Sequence, residues 1–183
     1  TYAIQKGDYN PGGKNDPSET IATLVVLPTA VNMALPSTLL PAPLKDILTA
    51  ELTPNSARTM TFAVSNNPAL APYPGFPVFT INNTLFDANV INQTINLGNV
   101  EEWTLVNVSN VDHPFHIHVN PFQVTQINGV PLAKPEWHDT INIPRNQSVT
   151  IRHRFADFKG LFVFHCHILT HEDTGMMQTV NVI

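Results

Sequence analysis

The chain of 183 residues reads as an all-β sandwich with Greek-key connections. Three observations predict it. From Arg58 to the end, short runs rich in β-branched and aromatic residues follow one another closely. Turn chemistry separates them, strongest at Asn128-Gly129 and weaker at Pro144-Arg145-Asn146. The composition, 43% hydrophobic with 13% charged, is that of globular material able to bury a core.

Taken in order, residues 7–19 are rich in Gly, Pro, Asn and Asp and read as an exposed or mobile loop. Residues 21–27 (Ile-Ala-Thr-Leu-Val-Val-Leu) form an apolar, partly β-branched strand candidate stopped by Pro28, with little nearby to pair against. Prolines punctuate residues 28–54, a covering linker interrupted by one short helix over 43–50, where Leu44, Ile47 and Leu48 share a face. The strands expected after Arg58 are 59–65, 79–81, 94–97, 102–108, 116–118, 122–127, 139–143, 148–154, 160–167 and 178–182. No internal repeat or low-complexity tract interrupts them.

A formal net charge of −5 offers no basic surface for nucleic acid. No run is apolar and long enough to span a bilayer, and residues 1–10 lack the plan of a signal peptide. The first residue is Thr1 and not methionine, so the expectation is that the natural beginning has been removed or lies elsewhere. One cysteine excludes an internal disulfide framework.

That cysteine carries the chemistry. Cys166 sits between His165 and His167, with His171 and Met176 close behind, and His113, His116 and His118 form a second cluster upstream. Together these clusters hold six of the eight histidines. A thiolate, imidazoles and a thioether are the donor set copper prefers. Side chains alternate along a strand, so His165 and His167 point one way and Cys166 the other. His116 and His118 share one face if that segment is also extended, and His113 can be directed to the opposite side. The Cys166 face would then gather His113, His171 and Met176, a trigonal site with a weak axial ligand suited to one-electron copper chemistry. The other face would carry His116, His118, His165 and His167, an all-imidazole site suited to copper that binds oxygen species.

His113-Pro-Phe-His-Ile-His and His165-Cys-His-Ile-Leu-Thr-His-Glu-Asp-Thr-Gly-Met resemble the two C-terminal copper motifs of the multicopper oxidases, the family of laccases, bilirubin oxidases and metallo-oxidases. The resemblance covers roughly residues 58–183, including Glu101-Glu102-Trp103, Trp137-His138-Asp139-Thr140 and Phe155-Ala156-Asp157-Phe158. It implies a cupredoxin-like sandwich over 58–183, preceded by a Pro-rich linker over 28–57 and by the terminal segment of an earlier cupredoxin domain over 1–27. By motif, His113, Cys166, His171 and Met176 resemble type 1 copper ligands, His116 a type 2 ligand, and His118, His165 and His167 type 3 ligands. Met177 has no role in that pattern. The resemblance further implies that a small reducing substrate gives single electrons at the type 1 copper. Cys166 passes them to the coppers held at His165 and His167, where dioxygen is reduced to water. Glu172, ahead of Asp173, is the expected proton relay, against the simpler role of hydrogen-bonding a ligand. An extracytoplasmic location is expected on the same ground.

The chain also departs from the family. A complete enzyme has two further His-x-His motifs, and none remains here. His138 and His153 are isolated, which as a rule means surface or hydrogen-bonded histidines, although His138 lies in a segment resembling the substrate side. The expectation is a C-terminal piece of a longer oxidase whose N-terminal portion, as a separate fragment or missing segment, completes both the sheet and the trinuclear cluster.

Other readings fit parts of the pattern. Structural histidines around a buried cysteine would not explain two dense clusters of opposite parity. Zinc would accept Cys and His, but neither cluster has finger-like spacing. A blue-copper electron-transfer module would use the type 1 ligands alone and leave His165 and His167 without purpose. Two-domain nitrite reductases share the architecture but do not bracket the cysteine with histidines. The few methionines argue against a cuprous-ion oxidase, and acidic clusters suited to ferrous ion are not evident near the type 1 motifs, so a laccase-type oxidation of phenols or aromatic amines is the first expectation. Met176 as axial ligand favours oxidised copper and hence easily oxidised phenols. Four Asn-x-Ser/Thr triplets, at Asn82, Asn92, Asn107 and Asn146, read as coincidental in so Asn- and Thr-rich a chain.

Overall fold

A computed structural model describes residues 1–10, 16–27, 44–65 and 76–183. It divides into two compact units, Thr1–Lys45 and Asp46–Ile183. Among the described residues no helix is long and apolar enough to cross a membrane.

The first unit holds a two-stranded antiparallel sheet of β1 (Tyr2–Lys6) and β2 (Glu19–Leu24), with Ala3 opposite Thr23. The expected strand over 21–27 thus begins at Glu19, ends at Leu24 and has its partner in the same chain. The backbone of Tyr9 and Asp16 exchanges two hydrogen bonds of 2.9 and 2.8 Å beyond the strands. Lys6 Nζ reaches Asp16 Oδ1 at 2.7 Å and Glu19 Oε1 at 3.2 Å. Tyr2, Ile4, Ile21 and Leu24 stay exposed on this ribbon.

The second unit begins at Asp46, ahead of the boundary at Arg58 that composition suggests. The side chain of Gln123 explains part of the difference, because it accepts the Ile47 N–H at 2.8 Å and donates to Asp46 Oδ1 at 2.6 Å. Arg152 Nη1 donates to the Ile47 carbonyl at 3.2 Å. These bonds take up the backbone groups that a helix over 43–50 would need. Residues 44–48 are accordingly non-helical, and only a single 3-10 turn, Thr49–Glu51, follows. Ile47 is buried there while Leu44 and Leu48 face out; Pro43 and residues 28–42 of the linker lie outside the described residues.

Eleven strands then build the sandwich: β3 (Arg58–Ser65), β4 (Val78–Ile81), β5 (Gln93–Ile95), β6 (Val100–Asn107), β7 (His113–Ile117), β8 (Phe122–Ile127), β9 (Val130–His138), β10 (Thr140–Ile143), β11 (Ser148–Arg154), β12 (Gly160–Cys166) and β13 (Met177–Val182). One sheet has the order β10-β7-β12-β13-β5 and the other β4-β3-β6-β11-β8-β9. Pairing is antiparallel except for β13 with β5 and β3 with β6. The core contains Trp103 and a set of phenylalanines, Phe62, Phe115, Phe122, Phe155 and Phe164, all essentially inaccessible. Each such side chain contributes about 1.5–3 kcal/mol on burial.

Strand β9 has no counterpart among the strands expected from sequence; it carries Pro131 and Pro135, which cannot donate to a ladder. It is an edge strand paired only with β8, where prolines can leave their missing donor toward solvent, and the register shifts between Val124 and Gln126. After β12 the chain makes one short helix, α1 (Leu169–Asp173), in place of the expected loop. It carries His171 back toward the strand that holds Cys166.

Candidate metal centre

Strand β12 is an interior strand between β7 and β13, with His165 opposite His116 and Cys166 opposite Phe115. The pleat sends Phe164 and Cys166 into the core, and His165 to the other face. On β7 the same alternation buries His113, Phe115 and Ile117 and leaves Pro114 and His116 half-buried. His118 lies one residue past the end of β7, and Val119 after it turns the chain with φ +69°.

On the core face three donors converge. Cys166 Sγ lies 3.7 Å from His113 Nδ1 and 3.5 Å from His171 Nδ1, and the two nitrogens are 3.2 Å apart. All three residues are buried. Met176 is also fully buried, in the same cluster as Cys166. Its carbonyl accepts the Cys166 N–H at 3.1 Å and its N–H donates to the His171 carbonyl at 3.0 Å, tying the α1 turn to the strand.

The tautomer of His113 follows from its neighbour. Ser109 Oγ is 2.8 Å from His113 Nε2 and also lies 2.7 Å from Asn107 Oδ1 and 3.0 Å from the Val111 carbonyl. A hydroxyl that donates to either oxygen accepts from Nε2–H, which leaves the Nδ1 lone pair aimed at the cluster. Phe79 stacks face to face on His171, ring centroids 3.8 Å apart and planes 15° apart.

Burial sets the protonation here. Desolvation, with His171 adding to it and Asp112 opposing it, pushes His113 down to about 3, and burial pushes His171 down to about 4. Burial pushes the Cys166 thiol up to about 12. Both imidazoles are therefore neutral and ready to ligate, while the thiol keeps its proton until a cation displaces it. Two neutral imidazoles and a displaceable thiol within 4 Å of one another fit a soft or borderline metal such as copper, with Met176 close in the chain as a further donor.

The opposite face holds His116, His118 and His165 within ligating distance of one another. His118 Nε2 and His165 Nε2 are 3.3 Å apart. His167, exposed, has its ring centroid 5.5 Å from those of both His116 and His165. His165 Nδ1 reaches the Cys166 carbonyl at 3.1 Å and Glu172 Oε2 at 3.2 Å, and His116 Nδ1 reaches the Asp139 carbonyl at 2.8 Å and Thr140 Oγ1 at 3.0 Å. Acceptors on Nδ1 fix the proton there and free both Nε2 atoms for a metal. Desolvation, reinforced by His165 and His116, holds His118 below the ordinary imidazole value.

The other candidates fall elsewhere. Asp173 is exposed and Met177 half-buried. His138 is half-buried, 3.5 Å from Glu136. His153 is fully buried with no hydrogen-bond partner for either nitrogen among the described residues, contrary to the expectation of a surface or hydrogen-bonded residue. Sequence reasoning did not find Ser109 or Phe79 as parts of the site, nor the acceptors Asp139 and Thr140. Ser109 stood in the sequence only as the last residue of the Asn107 triplet.

Known proteins are similar to this chain over most of its length. The family model described as multicopper oxidase matches residues 49–183. The bilirubin oxidase of Albifimbria verrucaria is 32% identical over 155 residues, 79% of this chain and 25% of that protein. A laccase of Bacillus stratosphericus is 30% identical over 129 residues, 60% of this chain and 25% of that protein. Among solved structures, a multicopper oxidase from Campylobacter jejuni described as a metallo-oxidase superposes with a TM-score of 0.63 at 31% identity, covering 79% of this chain and 33% of that one. A laccase from Pediococcus acidilactici gives a TM-score of 0.63 at 28% identity and covers 96% of this chain and 37% of that one. The chain thus spans about a quarter of the length of the curated relatives it matches. With its cupredoxin-like sandwich and its copper-type donor sets on the two faces of one strand, the chain belongs to the multicopper oxidase family.

Proposed function

We propose that this chain is the C-terminal part of a laccase-like oxidase that takes single electrons from phenolic or aromatic substrates and delivers them to dioxygen. The observation that carries the reading is Cys166 itself: one strand residue ends in a buried donor triad, while its covalent neighbours His165 and His167 belong to the imidazole face behind it. Bound copper would supply one-electron transfer at the first set and dioxygen reduction at the second. His113, Cys166, His171 and Met176 would hold the type 1 copper, His116 the type 2, and His118, His165 and His167 the type 3 pair. The backbone of Cys166 links the two sets covalently, and its carbonyl touches the His165 ring. That would give electrons a through-bond route between them. Glu172, bonded to His165 Nδ1, would both orient that ring and supply protons beside the site of reduction. A carrier using the triad alone would have no need of the His118 and His165 pair.

Substrate would enter beside Phe79. A cleft of about 500 Å³ is lined by Phe76, Pro77, Phe79, Thr170, Asp173 and Thr174, and Phe79 is the ring stacked on His171. Its aromatic wall suits a flat electron donor, and Asp173 and the two threonines suit a phenol or amine hydrogen.

The imidazole face is half supplied, because no further His-x-His motif exists in these residues. An N-terminal portion of the same oxidase, as a separate fragment or missing segment, would complete the trinuclear cluster and the exposed β1–β2 ribbon. Residues 1–27 would then be the end of a preceding cupredoxin domain, and the Pro-rich stretch from there to the second unit at Asp46 its connection; the likeness over 96% of the chain to one laccase structure supports this. An extracytoplasmic location belongs to the same proposal and rests on family resemblance.

The test is reconstitution. Copper-loaded chain is mixed with the N-terminal portion, and oxygen uptake is followed with a phenolic donor. Uptake that needs both parts and is lost in Cys166→Ser supports the proposal. Full uptake by the chain alone, or none after both parts bind copper, overturns it.

A further inference from the structure

His153 lies outside both donor sets and has no use in the chemistry above. It sits on β11, fully buried, edge-on to Trp103 with ring centroids 4.4 Å apart and tilted against Phe155 at 4.5 Å. Neither Nδ1 nor Nε2 has a hydrogen-bond partner among the described residues. A neutral imidazole always carries one N–H, so a buried donor is left unsatisfied, which disfavours the ring in this place. An aliphatic side chain would avoid that cost in the same space.

Among the described residues no carboxylate is hydrogen-bonded to the ring. Its register partner on β6 is Glu101, itself fully buried, but that carboxylate is already taken up. Arg58 Nε donates to it at 2.7 Å, Trp103 Nε1 at 2.8 Å and Asn99 Nδ2 at 3.2 Å. Arg58 of β3 opposes a second positive charge. On β8 the register partner is Phe122, and Trp103 separates the ring from Phe164 of β12. Arg152 and Arg154, the flanking residues of β11, point to the opposite face and engage Glu102 and Glu51. Burial, with Arg58 adding to it, pushes His153 down to about 3.

We propose that His153 is an acid-sensitive release in the core of the sandwich: on taking a proton it cannot remain between Trp103 and Phe155, and the β6–β11 contact opens. The unfolded chain accepts that proton near the ordinary imidazole value of about 6.5, while the folded chain refuses it. The contribution therefore favours folding above about pH 6.5 and is lost progressively below it. His153 then adds to the acid sensitivity of the sandwich beside the buried His113 and His171, independently of what the domain oxidises.

The experiment is urea unfolding of the whole chain and of His153→Leu at pH values between 7 and 4. His113 and His171 are common to both proteins, so their titration cancels in the ratio of the two unfolding constants. The expected ratio of wild type to variant rises about tenfold for each pH unit below about 6.5. A ratio independent of pH overturns the proposal. If His153→Leu does not fold, ring nitrogen shifts of His153 in the folded wild type at pH 5 decide instead. A neutral ring supports the release, and a charged ring in the intact fold overturns it.

Discussion

Ser109 Oγ and His113 Nε2 meet at 2.8 Å, and this one contact determines which nitrogen of His113 faces Cys166. The hydroxyl is itself anchored by Asn107 Oδ1, whose amide nitrogen donates to the carbonyls of Val111 and Ile143. The bend between β6 and β7 thus turns His113 Nδ1 toward Cys166.

Ser109→Ala should therefore weaken copper binding at the triad about 10- to 100-fold, the usual effect of losing a partner that orients a metal-bound imidazole. Chelator competition measures it. An unchanged affinity would mean that core packing against Phe62 alone holds the ring, 6.1 Å away.

Metal uptake by the triad should release one proton near pH 7. The Cys166 thiol, pushed up to about 12, is protonated and must lose its proton to ligate, whereas His113 at about 3 and His171 at about 4 are already neutral. Affinity should accordingly rise about tenfold per pH unit through neutrality. Calorimetry in buffers of different ionisation enthalpy counts the protons, and a count of zero would contradict the thiol's place in the site.

Glu172→Gln keeps the size of the side chain but removes the carboxylate 3.2 Å from His165 Nδ1. In the reconstituted oxidase, turnover with dioxygen should fall about 10- to 100-fold, while the thiolate-to-copper absorption stays unchanged. Loss of that absorption would assign Glu172 to the triad side.

Gly175 adopts φ +122°, and a Cβ there would lie 2.5 Å from Leu85 Cδ2. Gly175→Ala should destabilise the second unit by about 1–3 kcal/mol in denaturant unfolding, through strain and displacement of Leu85. Because Gly175 links α1 to Met176, the same variant should also lower copper affinity.

Phe79→Leu removes the ring stacked on His171 without opening a large void. The expected outcome is a KM for aromatic donors raised several-fold with little change in the copper spectrum, read from steady-state kinetics of the reconstituted enzyme. An unchanged KM would place substrate entry away from this cleft.

What could be read in the sequence was whatever strand periodicity and residue chemistry record directly. The parity of His165 and Cys166 is a local property of β12, with His167 one residue past its end, so the separation of faces follows from adjacent letters. Strand β9 escaped because its prolines are tolerated only at an edge, and edge position is a property of the whole sheet. The helix expected over 43–50 failed because Gln123 and Arg152, distant in sequence, claim the Asp46–Ile47 segment. Ser109, Phe79 and the burial of His153 are likewise products of tertiary packing, and no spacing rule announces them.

On the proposed reading, the face of β12 bearing Cys166 binds copper separately from the imidazole face behind it. Metal analysis with optical and paramagnetic resonance spectra of the copper-loaded chain tests this most directly. The expected result is an intense blue thiolate-copper absorption that persists in His165→Ala and vanishes in Cys166→Ser. A colourless protein that takes up zinc in preference to copper, or a blue colour that survives Cys166→Ser, would contradict it.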